Sequence, residues 1–338
     1  MIFVRKRTFF YIAALLLLTG CGASSAKKKT SDAETDGKII NPLSKAEADR
    51  YHDIAEDFYD SSLKRTGFNG AMLVAKKGQI VFEAYNGVER LKGKDTITAA
   101  TPFHIASTTK TFTAMAILKL AEEGKLNIND SLQKFFPQFP YAGMTVKTLL
   151  SQRSGLPNYA YYLEDVKWDK KIKITNEDVL QTLIAYKPSL QNPANRRFNY
   201  SNTNFVLLAL IIERVSGKLY GDYLQEVFFT PLQMTSTKVF NRNDSATVTP
   251  SYMWNGVQEA FTWLDVTYGD KNIYSTVTDL LKWDQALYGN KLFKQSTLDS
   301  AFQPYSFEKP GIHNYGLGWR MYTLANDKKI IYHNGWWH

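Results

Sequence analysis

Cysteine is almost absent from this sequence. A single Cys among 338 residues excludes a disulfide framework and a zinc site built from cysteines. The five histidines show no His-Glu-x-x-His spacing, and nucleotide-binding glycine motifs and the Gly-x-Ser-x-Gly elbow are also missing. With 44% apolar and 22% charged residues, the composition is that of a globular protein. We therefore expect neither a metal nor a cofactor.

The N-terminus has the pattern of a secretory signal peptide over residues 1–20. A basic start precedes an apolar run, 9–18, which is too short to span a bilayer as a mature helix. The following Leu-Thr-Gly-Cys resembles a bacterial lipobox, which implies cleavage before Cys21 and lipid on its thiol. A plain signal peptide with a chance cysteine is the alternative. We expect a monomer in the cell envelope, anchored by lipid to a bacterial membrane and facing the periplasm or the exterior.

The basic excess is small once the signal peptide is set aside. The formal net charge is +9, and three of these charges lie in the signal peptide. No basic stripe is interleaved with aromatic residues, so we expect no nucleic-acid partner. Three lysines at 27–29 would favour anionic headgroups beside the anchor, and a solvated linker explains them equally well.

Local patterns predict a tether, a helix and a hairpin in the N-terminal part. Residues 21–45 are rich in small and polar side chains, which is typical of a flexible tether. Apolar residues recur at helical spacing over 46–66, and Gly67 follows. Two β-rich runs, 71–75 and 79–85, flank a Lys-Lys-Gly turn and predict a β-hairpin.

Strand patterns occur at both ends of the chain, with helical patterns between them. This order predicts an α/β fold of the α+β type, in which an antiparallel sheet is built from both chain ends and flanked by helices. Residues 46–100 and 268–338 would form this α/β domain. Residues 101–267 would form a mostly helical insertion domain.

Ser-x-x-Lys is the first candidate catalytic motif, and it starts at six positions: Ser24, Ser25, Ser61, Ser107, Ser131 and Ser306. Only Ser107 opens a long helical segment. Because residues three apart share a helix face, the Lys110 amine would lie over the Ser107 hydroxyl and could help to remove its proton. An N-cap serine with an unrelated lysine is the alternative.

Two further motifs contain groups suited to proton transfer and substrate binding. Tyr200 and Asn202 lie on a loop directly before an apolar helix, where a phenol could shuttle a proton and an amide could hold a substrate amide. A turn with an Asn cap would also explain them. Near the end of the chain, His333 and Gly335 follow a strand-like run. A glycine there permits close approach of a substrate backbone, whereas a lone histidine is more often structural.

Together the three motifs resemble the penicillin-recognising serine hydrolases, in their order and approximate spacing. The match is closest to the class C β-lactamase and D-alanyl-D-alanine carboxypeptidase/esterase branch. The stretches 103–110, 148–157, 274–283 and 315–319 are also similar to segments of this family. The resemblance covers about residues 46–338 and implies the β-lactamase/transpeptidase-like fold.

The resemblance implies that Ser107 is the acylated nucleophile, that Lys110 is its partner and that Tyr200 is the general base and acid. Each matches its position in the family motif.

The remaining implied roles concern binding. Asn202 would hold the substrate amide, and the backbone N–H groups of Ser107 and Trp336 would form an oxyanion hole. His333 would contact a substrate carboxylate or polarise Tyr200, with Gly335 beside it. His333 stands where many relatives have lysine, which weakens the case for a dedicated antibiotic-destroying enzyme.

Two pairs depart from the family pattern. Gln152 and Arg153 replace the usual His-Thr, and Lys271 and Asn272 stand where Gly-Gly is common. We expect both pairs to shape the substrate cleft.

The predicted function is that of a serine hydrolase acting through an acyl-enzyme on an amide or ester, such as a β-lactam or a D-amino-acid peptide of the cell wall. An esterase, a non-hydrolytic β-lactam or muropeptide receptor and a purely structural lipoprotein are the alternatives. The sequence stops three residues after Gly335, where the family has further strands and a C-terminal helix. We therefore expect a fragment of a longer product, poorly stable and weakly active, unless another chain covers this edge.

Overall fold

The computed structural model describes residues 42–289, 291–326 and 328–336. The predicted signal peptide, Cys21 and most of the predicted tether lie outside these residues. Across the described part of the chain, no helix combines the length and the apolarity that a bilayer crossing requires.

The first helix is fixed by its N-terminal cap. The Ser44 hydroxyl accepts a hydrogen bond from the Glu47 backbone N–H, and the Glu47 carboxylate accepts one from the Ser44 backbone, which makes a capping box. Helix α1 (Lys45–Phe58) continues through a π turn and a 3₁₀ turn to Gly67, whose φ is 76°. The helix predicted over 46–66 is confirmed, although its last turns depart from α geometry.

A tight hairpin follows the helix, as predicted. Strands β1 (Gly70–Lys76) and β2 (Gln79–Asn86) pair antiparallel. The turn residues Lys77 and Gly78 both have positive φ, 52° and 74°, as a type I′ turn requires. This turn matches the right-handed twist of the strands, and Phe82 of β2 packs against α1.

Helices dominate the middle of the chain. They are α2 (Thr109–Glu122), α3 (Leu132–Phe135), α4 (Val146–Leu150), α5 (Tyr159–Asp165), α6 (Asn176–Tyr186), α7 (Asn202–Ser216) and α8 (Tyr220–Leu224), and α9 (Val277–Ala286) and α10 (Gln295–Ala301) come later. Helix α7 contacts α2, α4, α5, α6 and α8. Ten consecutive residues of α2, 109–118, and ten of α7, 203–212, are buried. A helix that is apolar all round belongs in a core, and these two form its centre.

The remaining strands form two small antiparallel sheets. The first has the order β3–β5–β4, and the second has the order β6–β7–β8. Their strands are β3 (Phe103–His104), β4 (Lys238–Val239), β5 (Ile273–Ser275), β6 (His313–Tyr315), β7 (Arg320–Thr323) and β8 (Lys329–Tyr332). The first sheet brings the segment before α2 next to the segment before α9.

The mixed α+β class predicted from the sequence is confirmed, with antiparallel strands near both ends of the described chain. The arrangement of the strands differs in one respect from the prediction of a single antiparallel sheet built from both chain ends. In the described residues, the β1–β2 hairpin and the β6–β7–β8 sheet are separate ladders. Short turns favour pairing between sequence neighbours, so the strands of the β1–β2 hairpin and those of the β6–β7–β8 sheet pair among themselves. Helix α9 packs on β1, where Gln285 Nε2 donates to the Gly78 carbonyl at 2.8 Å.

Candidate active site

Ser107 lies on a strained turn between β3 and α2. Residues Ala106–Thr108 form a 3₁₀ turn, and Ala106 has a φ of 47°, in the left-handed region that residues with a Cβ rarely adopt. The Ile105 N–H donates to the Ile273 carbonyl at 3.0 Å, which holds the start of this turn to β5. The turn places the half-buried Ser107 hydroxyl at the N-terminal end of a buried helix.

Lys110 lies one helical turn further on and is fully buried. Its Nζ donates to Ser107 Oγ at 3.1 Å and to the Asp270 carbonyl at 2.6 Å. The same Nζ is 5.1 Å from the centroid of the Tyr200 ring and 5.6 Å from that of Phe205. The structure therefore brings together Ser107, Lys110 and Tyr200, which the sequence places up to 93 residues apart.

Asn202 is the first residue of α7, next to this cluster. Its Oδ1 is buried and has no hydrogen-bond partner among the described residues. A buried amide oxygen without a partner is costly unless a ligand or water satisfies it. Its position makes it a candidate acceptor for a substrate N–H.

Gln152 holds the loop that carries Tyr200 and does not simply line a cleft. Its backbone carbonyl accepts from the Asn199 N–H at 2.8 Å, and its Oε1 accepts from the Ser201 N–H at 2.9 Å. The side chain is fully buried, and Asn204 Nδ2 donates to the same Oε1 at 2.5 Å. These three contacts hold both sides of Tyr200, and nothing in the sequence pattern indicated them.

Arg153 joins two loops near the site. Its Nε donates to Asn195 Oδ1 at 3.0 Å, and its Nη1 forms an ion pair with Glu308. Glu308 also lines a cavity of about 320 Å³, whose wall includes Tyr315 and Arg320. The Arg320 guanidinium carbon is 5.0 Å from the centroid of the Tyr200 ring, so this cavity lies beside the site.

The prediction that Lys271 and Asn272 shape the cleft is wrong. Their side chains are only 2% and 3% exposed and make hydrogen bonds towards the interior. Asn272 has a φ of 76°, and its Nδ2 donates to the carbonyls of Asp265 and Thr267. Asparagine tolerates the left-handed conformation better than most residues, and its amide here satisfies buried backbone groups.

His333 contacts Tyr315, a residue to which the sequence motifs gave no role. Burial, and then the charge of Lys110, lower the pKa of His333 to about 3, so its ring is neutral at physiological pH. The Asn334 carbonyl can only accept, so Nδ1 carries the proton and donates at 2.8 Å. Nε2 is then free to accept from the Tyr315 hydroxyl at 3.4 Å, and burial raises the pKa of Tyr315 well above its usual value.

Gly335 packs against the turn that carries Ser107. A Cβ at this position would collide with the Ile105 carbonyl oxygen and come within 2.9 Å of the Ala106 Cβ. Only glycine permits this approach of the two backbones. Trp336 is the next residue in the chain and is 91% exposed. Its backbone N–H therefore directly follows the contact that Gly335 makes.

No group of three or more His, Cys, Asp or Glu side chains suited to a metal ion occurs within the described residues.

Comparison with known proteins identifies the relatives of this chain. The family model described as Beta-lactamase matches residues 55–338. Penicillin-binding protein 4* of Bacillus subtilis is 32% identical over 286 residues, which cover 80% of this chain and 63% of that protein. Protein flp of Staphylococcus aureus (strain MRSA252) is 30% identical over 277 residues, 78% of this chain and 54% of that protein. The chain thus spans between about half and two thirds of the length of these curated relatives.

The fold is also similar to solved structures. The crystal structure of a penicillin-binding protein from Bacillus halodurans matches with a TM-score of 0.69 and 25% identity, over 81% of this chain and 84% of that one. The family model covers most of the sequence, including every candidate site residue named above except Cys21. This chain belongs to the Beta-lactamase family.

Proposed function

We propose that this protein is a serine hydrolase that cleaves an amide or ester through an acyl-enzyme, with Ser107 as the nucleophile. The carrying observation is the 3.1 Å hydrogen bond between Lys110 Nζ and Ser107 Oγ, made by a fully buried lysine at the start of a buried helix. A serine hydroxyl needs a nearby base to become a competent nucleophile.

In the acylation step, Ser107 Oγ attacks the carbonyl carbon of the substrate and transfers its proton to the Tyr200 oxygen, while Lys110 Nζ stays hydrogen-bonded to Ser107 Oγ. Tyr200, whose ring centroid lies 5.1 Å from Lys110 Nζ, relays this proton to the leaving nitrogen or oxygen as the scissile bond breaks. A water molecule then attacks the acyl-enzyme ester, which regenerates the Ser107 hydroxyl and releases the acid.

The binding roles rest on groups around this centre. The backbone N–H groups of Ser107 and Trp336 would bind the developing oxyanion, and the close packing of Gly335 on the nucleophile turn supports this pairing. The Asn202 amide, with its unpartnered Oδ1, would accept from the substrate amide. His333 is neutral and donates its single ring N–H to the Asn334 carbonyl, while its Nε2 accepts from the Tyr315 hydroxyl, so in this arrangement it has no N–H left for a substrate carboxylate.

The substrate class is a β-lactam or a D-amino-acid peptide of the cell wall. Two of the curated relatives are named as penicillin-binding proteins, which supports this class and a location in the cell envelope. We propose a monomer as the working unit, in which one chain provides all the proposed catalytic side chains.

The proposal predicts transient labelling by a fluorescent penicillin. The label is expected to appear on the protein and then to disappear as the acyl-enzyme is hydrolysed. Label that persists would instead indicate a non-hydrolytic receptor. Absence of label together with hydrolysis of a nitrophenyl ester would indicate an esterase, and absence of both would overturn the proposal.

We further propose that Cys21 is the mature N-terminus and carries lipid. Several acyl chains together anchor a protein stably, whereas one chain binds weakly. Cys21→Ser is therefore expected to move the protein from the membrane fraction to the soluble fraction, as measured by fractionation and immunoblotting. A variant that stays in the membrane pellet would show that another segment holds it there.

A further inference from the structure

A second buried lysine lies beneath the candidate active site. Lys271 is 2% exposed, and its Nζ donates to the Tyr159 hydroxyl at 2.5 Å and to Thr267 Oγ1 at 2.6 Å. The same Nζ is 3.4 Å from Asp270 Oδ2. Lys271 thus forms an ion pair in the interior, where removal of one partner is strongly destabilising.

Asp270 connects this lysine to the catalytic centre. Its carbonyl accepts from Lys110 Nζ at 2.6 Å, while its carboxylate accepts from the Tyr159 hydroxyl at 3.0 Å and pairs with Lys271. The residue is fully buried. One residue therefore contacts both buried lysines, through its backbone on one side and its side chain on the other.

The charged and titratable groups around the pair define its electrostatics. Burial lowers the pKa of Lys271, and the charges of Asp270 and Asp265 act against this effect. Burial raises the pKa of Tyr159 well above its usual value, and it raises that of Tyr220 on α8, so both phenols are neutral.

On the other side, the charge of Lys110 acts on Lys271 and on His333, and Lys110 Nζ also lies 5.1 Å from the centroid of the Tyr200 ring. We therefore expect a change in the charge of the Lys271–Asp270 pair to alter the electrostatic potential at Lys110 and, through Lys110, at the groups that surround Ser107.

We propose that Lys271 is a positioning residue for Lys110: by pairing with the Asp270 carboxylate, it aims the Asp270 carbonyl at Lys110 Nζ and offsets the negative charge beneath it. This inference rests on the proposed function. Without Lys271, the buried carboxylate would favour the charged form of Lys110. The family commonly has glycine at position 271, which carries no charge. In this chain, the positive charge of Lys271 offsets the negative charge of the neighbouring Asp270 carboxylate.

The test is the pH dependence of acylation in Lys271→Met, with the fluorescent penicillin or a nitrophenyl ester as the acylating agent. The limb of the profile that depends on Lys110 is expected to move to higher pH by roughly one to three units, the effect of a nearby opposite charge. The limb moves to higher pH whether the active form of Lys110 is neutral or charged. In either case the substitution stabilises the charged form of Lys110, so Lys110 loses its proton at a higher pH. The Asp270→Asn variant is expected to move the limb in the opposite direction.

The double variant Asp270→Asn/Lys271→Met removes both charges and is expected to return the limb to near its original pH. Lys282→Met is the matched control, because Lys282 also pairs with a buried aspartate, Asp279, at 2.8 Å, but on α9. This control is expected to leave the profile unchanged. A limb that stays in place in both single variants, or a double variant that keeps the full shift, would overturn the positioning role.

A second readout separates this inference from the proposed function. Titration of ¹³Cε-labelled lysines by NMR, with Lys110→Met to assign the signal, follows Lys110 without any substrate. If wild-type protein is not acylated but the Lys110 signal shifts in Lys271→Met, the proposed function fails and the electrostatic coupling stands. If acylation occurs and neither the signal nor the profile shifts, the coupling fails alone. Thermal unfolding of each variant shows whether it folds. If Lys271→Met does not fold, the test rests on Asp270→Asn.

Discussion

Ser107→Ala is expected to abolish acylation and to lower turnover of nitrocefin or a nitrophenyl ester by several orders of magnitude. The substitution removes the only group that forms the covalent intermediate, and loss of a covalent nucleophile has an effect of this size. It removes one oxygen at a half-buried position and leaves the Ala106 turn and the buried face of α2 intact. We therefore expect the unfolding temperature to change little.

Ser131→Ala provides a matched control for this variant. Ser131 also begins a Ser-x-x-Lys sequence and caps the short helix α3, but Lys134 pairs with Asp130 at 2.7 Å. The control variant is expected to keep its activity. An unchanged rate in Ser107→Ala would refute the nucleophile assignment.

Tyr200→Phe is expected to reduce the rate of acylation by roughly 10²- to 10⁴-fold, the typical contribution of a general acid–base group. The phenyl ring keeps its contacts with Lys110 and Arg320, whose charged groups lie 5.1 Å and 5.0 Å from the ring centroid. Only the hydroxyl is lost, so a role in packing predicts almost no change. Single-turnover acylation measured alongside thermal unfolding distinguishes these two roles.

Tyr288→Phe is the control for this second variant, since Tyr288 also begins a Tyr-x-Asn sequence but is 67% exposed. It is expected to behave as wild type. A loss below about threefold in Tyr200→Phe, against the 10²-fold or more expected of a proton shuttle, would favour the structural role.

Much of the local structure follows from short-range rules that operate within the sequence. The spacing of apolar residues and the cap at Ser44 set α1, and the Lys77-Gly78 turn sets the pairing of the residues next to it in the hairpin. The contact between Ser107 and Lys110 is of the same kind, because the two residues are only three positions apart, where a 3₁₀ turn leads into α2. The grouping of Tyr200 with them was expected only through the resemblance of the motifs to a family.

The incorrect expectation at Lys271 and Asn272 has a physical cause. A charged residue in a loop is most often exposed, so the sequence favoured a cleft surface. Burial requires partners, and although Thr267 lies four residues away in the same loop, Tyr159 comes from α5, 112 positions away. The loop that carries Lys271 meets α5 only in the folded chain.

The sequence by itself determined the helices, the hairpin and the order of the three motifs, because periodicity, capping and turn geometry depend on near neighbours. The tertiary structure alone decided which distant groups support the motifs. Gln152 braces the Tyr200 loop, Tyr315 donates to His333, and Asp270 contacts both buried lysines. The contacts of Tyr315 with His333, of Gln152 with Ser201 and of Asp270 with Lys110 join residues 18, 49 and 160 positions apart. Their energies depend on burial and on the pairing of charge, which exist only after the core has formed.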